Sequence, residues 1–205
     1  MLSEFNCLNK IQKKEVTDLY LLSFPLNERR DFDFLLEGLR LGNYQMLVYL
    51  KEKSVYGLSF VYFPEHEPFA LLDYFAIIPE KQGVGVGSQC FLELVHRMQR
   101  EGRSLLMEVE DPTVGPNEDE KEKRIRFYER NGARMLDKYD YNLPDLSGRG
   151  EPTPMKLMIA PSKQQISRKK LMQFIKLIFK ELYLKGDKDA VLMGNLKRMP
   201  RKLIY

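Results

Sequence analysis

The chain has 205 residues, of which 43% are hydrophobic and 30% are charged, and its formal net charge is +4. This composition is typical of a globular protein with an adequate core, and the length suits one full domain with an appendage. No apolar run is long enough to span a membrane, and Cys7 and Cys90 lack the spacing of a zinc site or a disulfide framework. The N-terminus does not read as a secretory leader, so we expect a cytoplasmic protein that holds no metal ion.

Positive charge is concentrated near the C-terminus. From Pro161 onward, twelve lysines and arginines stand against three acidic residues, and the rest of the chain is mildly acidic. We therefore divide the chain into a domain over residues 1–161 and a basic C-terminal extension over residues 162–205.

Hydrophobic periodicity and the positions of glycine and proline predict alternating helices and strands. The first half contains helices over 8–24 and 31–40, ended by Pro25 and Gly42, and strands over 45–50, 55–63 and 70–78. The second half contains a helix over 89–98, a strand over 105–110, a helix over 120–131, and strands over 135–141 and 155–159. Within the extension, residues 168–184 have the spacing of an amphipathic helix with a basic face.

A glycine-rich turn between the predicted strand 70–78 and the predicted helix 89–98 has the context of an anion site. Glycines allow positive φ and close approach of a ligand, and the N–H groups that begin a helix bind phosphates. The residues do not match a P-loop, because Gly87 is followed by Ser88 and no lysine. They do not match a dinucleotide fingerprint either, because the third glycine position holds Val86 or Cys90. The pattern that fits is Gln-x-x-Gly-x-Gly, at Gln82, Gly85 and Gly87.

This pattern resembles the coenzyme A signature of the GCN5-related N-acetyltransferases, the GNAT superfamily. The chain is similar in kind to the bacterial-type members of that superfamily. A second segment, 127–133, reads Phe-Tyr-Glu-Arg-Asn-Gly-Ala and is similar to another segment of that superfamily, with Ala133 where an aromatic residue is commoner. The predicted element order also agrees with that fold. The resemblance implies an α/β GNAT fold, in which a mixed central sheet with splayed parallel strands is flanked by helices, followed here by a helical C-terminal appendage.

The resemblance implies acetyl-CoA as the acyl donor. The pyrophosphate would lie against the backbone amides of the glycine turn, and the pantetheine arm would pair with the strand before it. The coenzyme-binding residues implied in this way are Phe75, Ala76, Ile77, Gln82, Gly83, Val84, Gly85, Val86, Gly87 and Ser88.

Acyl transfer to an amine also needs a base, since an alkyl ammonium with a pKa of ~10.4 is only roughly 0.04% neutral at pH 7. Asp73, Glu108 and Glu110 are the candidate carboxylates, and strand alternation predicts that Asp73 shares a face with Phe75 and Ile77. The alternative is that Asp73 and Glu108 lie at strand ends or pair with arginines. Glu28 is a weaker candidate for the acceptor side.

By the same resemblance, Tyr128 would protonate the departing thiolate, although it could instead only pack at a helix end. Lys121 and Arg124 stand where many members have Asn and Ala. This departure puts hydrogen bonding from that helix to pantetheine in doubt; these cations would meet the coenzyme phosphates or form a solvated helix face.

The extension carries Leu171, Phe174, Ile175, Ile178 and Leu182 on one stripe. We expect this stripe to dock on the same chain or in a homodimer, with a membrane surface or nucleic acid as alternatives. The sequence thus predicts an acetyl-CoA-dependent N-acetyltransferase that acts by direct transfer to a primary amine. The alternative is a non-catalytic acyl-CoA-binding module whose basic extension engages a partner.

Overall fold

A computed structural model describes residues 2–24, 29–145, 151–161 and 166–203. The described residues have the α/β fold that the sequence predicted, with an eight-stranded mixed sheet and six α-helices. The chain divides into two compact units, one ending at Leu105 and the other beginning at Leu106, and the C-terminal extension belongs to the second. No helix of the described ranges is long and apolar enough to cross a membrane.

The first unit contains an antiparallel run of strands in chain order. Strand β1 pairs with β2, β2 pairs with β3, and β3 pairs with β4. The elements are β1 (Leu2–Glu4), α1 (Lys10–Ser23), α2 (Phe32–Leu41), β2 (Tyr44–Lys51), β3 (Ser54–Tyr62), β4 (Phe69–Ile77) and α3 (Val86–Arg100).

The second unit begins within strand β5 and includes both helices of the extension. Strand β8 pairs antiparallel with β6 and with β7. The elements are β5 (Ser104–Glu110), α4 (Glu118–Arg130), β6 (Arg134–Met135), β7 (Tyr141–Leu143), β8 (Thr153–Ala160), α5 (Arg168–Glu181) and α6 (Ala190–Arg198).

Local sequence signals set several helix ends. At the start of α1, Asn9 and Gln12 form a capping box, with Gln12 N donating to Asn9 Oδ1 at 3.0 Å and Asn9 N donating to Gln12 Oε1 at 3.1 Å. Asp31 caps α2, which ends at Gly42 with a φ of +83°. The predicted stop at Gly42 is therefore confirmed. The predicted stop at Pro25 and the candidate Glu28 lie outside the described residues.

A β-bulge interrupts the alternation of β4 at Asp73. Phe60 of β3 pairs with Tyr74 and the next residue, Val61, pairs with Leu72, so Asp73 has no partner across the strand pair. Such an extra residue turns its neighbours out of the two-residue alternation. The prediction that Asp73 shares a face with Phe75 and Ile77 is therefore wrong.

The predicted strand over 135–141 is also wrong, because it is two short strands. A turn separates β6 from β7, and within it Lys138 has a φ of +57°, a conformation that a strand cannot contain. Helix α6 was not predicted, although Asp189 caps it by accepting from the backbone N–H groups of Val191 and Leu192.

The apolar stripe of the extension is buried within this chain. Leu171, Phe174, Ile175, Ile178 and Leu182 are each at most 2% exposed. The extension is tied to β7 by Asn195 of α6, which accepts from Asn142 N at 2.9 Å and donates to Asn142 O at 2.8 Å. Docking on the same chain is thus confirmed, and the lysines of α5 remain on the exposed side.

Candidate functional site

The glycine turn joins β4 to α3 through two left-handed residues. Gly83 has a φ of +73° and Gly85, the residue before the first turn of α3, has a φ of +87°. Apart from each glycine and its two chain neighbours, no heavy atom of the described residues lies within 4 Å of where a Cβ would stand on Gly83 or Gly85. The turn therefore uses glycine for its conformation and leaves open space above its backbone.

The side chain of Gln82 fastens the turn to the end of β4. Its Nε2 donates to the backbone oxygen of Ile77 at 2.9 Å. The first turn of α3 has no acidic residue, and no side chain caps its N-terminus in this described segment. N–H groups without an internal partner and the positive end of the helix dipole are therefore presented at an open surface, where Val84 is 70% exposed.

The segment before the turn depends on a glycine that the sequence analysis did not single out. Gly57 of β3 pairs with Ile77, and a Cβ on Gly57 would stand 2.5 Å from Ile77 Cδ1 and 2.7 Å from Ala76 O. A side chain there would push the two strands apart. Gly57 thus sets the position of the implied pantetheine-binding residues, and Phe75 among them packs edge-on against Phe91 of α3 with ring centroids 6.2 Å apart.

Asp73 takes part in a nearly buried ion pair. Its Oδ2 accepts from Arg30 Nε at 3.3 Å and from Tyr44 Oη at 2.7 Å, and the Asp73 and Arg30 side chains are 10% and 8% exposed. Burial is the main cause that raises the pKa of Tyr44 well above its usual value, so this hydroxyl is a donor at neutral pH. Asp73 therefore pairs with an arginine, which was the alternative to a role as the base.

Arg30 is itself held by an aromatic cluster on the α1 side of the sheet. Its backbone N–H donates to Tyr74 Oη and its carbonyl accepts from Tyr20 Oη, each at 2.9 Å. The Tyr20 and Tyr74 rings meet edge-on at 5.0 Å. Asp73 therefore faces this cluster, whereas Phe75 packs against α3, and the structure does not bring the two together.

Glu108 of β5 is held by two tyrosines that the sequence analysis missed. Tyr141 Oη of β7 donates to Glu108 Oε1 at 2.5 Å, and Tyr183 Oη of the extension donates to Glu108 Oε2. Burial is the main cause that raises the pKa of Tyr141 far above its usual value, and the Glu108 charge adds to it. No local pattern could have revealed these contacts, because 33 and 75 residues of chain separate the partners.

Tyr128 lies near the end of α4 and is 8% exposed. Burial raises the pKa of Tyr128 to about 12, with the Arg124 charge acting in the opposite direction. The phenol is therefore protonated at neutral pH, which is the form that a hydrogen-bond donor or an acid requires.

The basic residues earlier on α4 contact a carboxylate of their own unit. Arg124 Nη1 lies 2.9 Å from Glu110 Oε2, Lys121 Nζ lies 3.7 Å from Glu110 Oε1, and Lys121 Nζ also donates to Val114 O at 2.6 Å. Lys121 is 8% exposed, so it does not belong to a solvated helix face. Among the described residues, no group of three or more histidine, cysteine or acidic side chains could hold a metal ion.

Comparison with solved structures identifies the fold. A GNAT-family protein from Bacteroides thetaiotaomicron superposes with a TM-score of 0.71 at 24% identity, over 85% of this chain and 93% of that one. An aminoglycoside 6'-N-acetyltransferase complexed with coenzyme A gives a TM-score of 0.58 at 15% identity, over 82% and 99%. A GNAT-family acetyltransferase from Elizabethkingia anophelis with acetyl-CoA bound gives 0.52 at 15%, over 78% and 95%. No protein-family model and no curated protein matches the sequence.

This chain therefore has the fold of these acetyltransferases. More particularly, it has the GNAT fold, as the motifs at 82–88 and 127–133 predicted.

Proposed function

We propose that this protein is an acetyl-CoA-dependent N-acetyltransferase of the GNAT superfamily that transfers the acetyl group directly to a primary amine. The observation that carries the proposal is the open glycine turn at the N-terminus of α3, in a fold shared with proteins whose structures contain coenzyme A or acetyl-CoA. Both cysteines are free thiols, which fits a reducing, cytoplasmic setting.

In the proposed complex, the pyrophosphate lies against the amides of the turn over residues 82–88. The pantetheine arm lies along the end of β4, at Phe75, Ala76 and Ile77. A backbone amide of that segment polarises the thioester carbonyl, and fixed donors of this kind supply a large share of the rate in acyl transfer.

The proposed reaction transfers one acetyl group and one proton. The neutral amine nitrogen attacks the thioester carbon, a C–N bond forms, and the C–S bond breaks to release the coenzyme thiolate. The proton lost by the amine passes to a carboxylate or through water. The thiolate accepts a hydrogen bond from Tyr128 and gains a proton from Tyr128 or from solvent. A positioned base contributes roughly 10²- to 10⁴-fold to such a step.

We assign the carboxylate role to Glu108 rather than to Asp73. Asp73 is engaged with Arg30 and faces the aromatic cluster, away from Phe75. Asp73 is thereby committed to the ion pair, and without that contact the buried Arg30 guanidinium would lose its charge partner.

Binding of the coenzyme is tested by calorimetry on two matched variants. Gly85→Ala places a methyl group beside the proposed pyrophosphate, and Gly102→Ala places one at the other end of α3. Both glycines have positive φ and both have open space for a Cβ, so the backbone strain is comparable. We expect Gly85→Ala to weaken coenzyme A binding about ten-fold or more while Gly102→Ala retains it.

Equal affinities in both variants and the parent would refute the coenzyme site. Transfer is tested by incubating the protein with acetyl-CoA and a panel of primary amines and measuring free thiol. If coenzyme A binds but no amine releases thiol above the background, the enzymatic proposal is wrong.

A further inference from the structure

We propose that the C-terminal extension is part of the catalytic apparatus, because Tyr183 positions the Glu108 carboxylate. This inference rests on the proposed function of Glu108. It concerns a segment beyond the two coenzyme-related motifs, and it gives the extension a chemical role besides covering apolar surface.

The contact itself is specific. Tyr183 Oη donates to Oε2 of Glu108 while Tyr141 Oη donates to Oε1, so each carboxylate oxygen has its own phenol donor. A carboxyl group with two fixed donors on its two oxygens cannot rotate about its terminal bond without losing both hydrogen bonds. The plane of the carboxylate is thereby set by one residue of β7 and one of the extension.

The two phenol rings are held by packing. Phe179 of α5 meets the Tyr141 ring at 6.5 Å and 87°, and it meets the Tyr183 ring at 5.2 Å and 82°. These edge-to-face contacts join the rings through one buried side chain, and Tyr183 is only 5% exposed. The position of the Tyr183 hydroxyl therefore follows from the docking of α5.

Hydrogen bonds also hold the extension in place. Tyr183 N donates to Ile178 O at 3.2 Å, which ends α5 with Tyr183 turned inward. On the next helix, Arg198 Nε donates to Asp140 O at 2.9 Å, beside the paired Asn195 and Asn142. Because Phe179 of α5 packs on Tyr141 and α6 is hydrogen-bonded beside it, the donors Tyr141 and Tyr183 keep their separation.

The test is Tyr183→Phe, which removes one oxygen and keeps the ring. Tyr139→Phe is the matched control, because the Tyr139 ring is 1% exposed and packs 5.9 Å from the Tyr141 ring. Its hydroxyl has no hydrogen-bond partner in the described part of the chain. With the amine that gives the fastest thiol release, we expect kcat to fall about ten-fold or more in Tyr183→Phe. We expect the KM for acetyl-CoA to stay within two-fold, and the control to match the parent.

A double-mutant cycle separates positioning from a general structural effect. If Tyr183 acts through Glu108, adding Tyr183→Phe to Glu108→Gln should change kcat less than two-fold. The same loss of kcat in both backgrounds, or parental kcat in Tyr183→Phe, would overturn the inference.

The outcome remains interpretable if no amine is acetylated. In that case the proposed function fails, and the contact is judged from urea unfolding of the same four proteins. If the midpoint shift caused by Tyr183→Phe is smaller in the Glu108→Gln background, then Tyr183 contacts Glu108 with a structural role only, and the catalytic role is refuted. Equal shifts would show that the two residues do not interact.

Discussion

Replacing Tyr128 by phenylalanine tests what this residue does for the leaving group. The variant removes the hydroxyl and keeps the ring, which packs against Phe127 with centroids 5.3 Å apart. Burial raises the pKa of Tyr128 to about 12, whereas a thiol of the cysteine type has a pKa of about 8.5.

Full proton transfer from this phenol to the thiolate would thus be uphill by roughly 3.5 pKa units, or about 4.8 kcal/mol. A hydrogen bond from Tyr128 to the developing thiolate needs no proton transfer and so avoids this cost. A hydrogen bond to a charged group contributes about 1.5 to 3 kcal/mol. We therefore expect Tyr128→Phe to lower kcat by about 10- to 150-fold, without abolishing turnover.

Initial rates of thiol release from pH 7 to 10 are the assay. Because the Tyr128 pKa is about 12, the hydroxyl stays protonated over this range, and the ratio of parent to variant rates should be constant. Coenzyme A affinity should be unchanged. Parental rates would show that Tyr128 only packs, and a loss beyond about 10⁴-fold would show that obligatory proton transfer outweighs the hydrogen bond.

Three further outcomes follow from the buried groups and the extension. Asp73→Asn should lower the free energy of unfolding in urea by about 3 kcal/mol, because it leaves the Arg30 cation buried without its charge partner; parental stability with lost turnover would make Asp73 the base. Deletion from residue 162 onward should lower stability and solubility, since it uncovers the apolar surface that α5 covers; an equally stable and soluble truncated chain would contradict docking. In alkali, the folded state keeps protons on Tyr20 and Tyr128, whose pKa values are about 12, after the unfolded chain has lost them near pH 10. Stability should therefore fall by about 1.4 kcal/mol per pH unit for each of them between pH 10 and 12, as measured by urea midpoints.

Where a signal is local, the sequence predicted the structure well. A few neighbouring residues determine each of three features: the end of α2 at Gly42, the amphipathic stripe of α5, and the strand–turn–helix around Gly85. The fold followed from such segments because their order, together with two motifs, matched one known architecture. For the glycine turn, only the course of the backbone had to be predicted, and glycine conformation largely determines it.

Contacts between distant residues could not be predicted. A β-bulge at Asp73 reverses the face on which that side chain lies, and no residue type nearby announces it. The donors to Glu108 come from β7 and from the extension, and a lone tyrosine in a sequence has too many explanations to be assigned a partner. The role of Gly57 could not be predicted either, because a side chain at this position would clash only with β4, which lies beside it in the folded sheet.

In the proposed enzyme, the extension affects activity by two separable routes. Its apolar side chains stabilise the second unit, and the Tyr183 hydroxyl contacts Glu108. Tyr183→Phe removes only the second route, whereas deletion from residue 162 removes both. If the extension influences catalysis only by holding Glu108, then a truncated chain that still folds at low temperature should lose the same factor in kcat as Tyr183→Phe. A much larger loss would mean that docking of α5 also sets the position of Tyr141, whose ring meets Phe179.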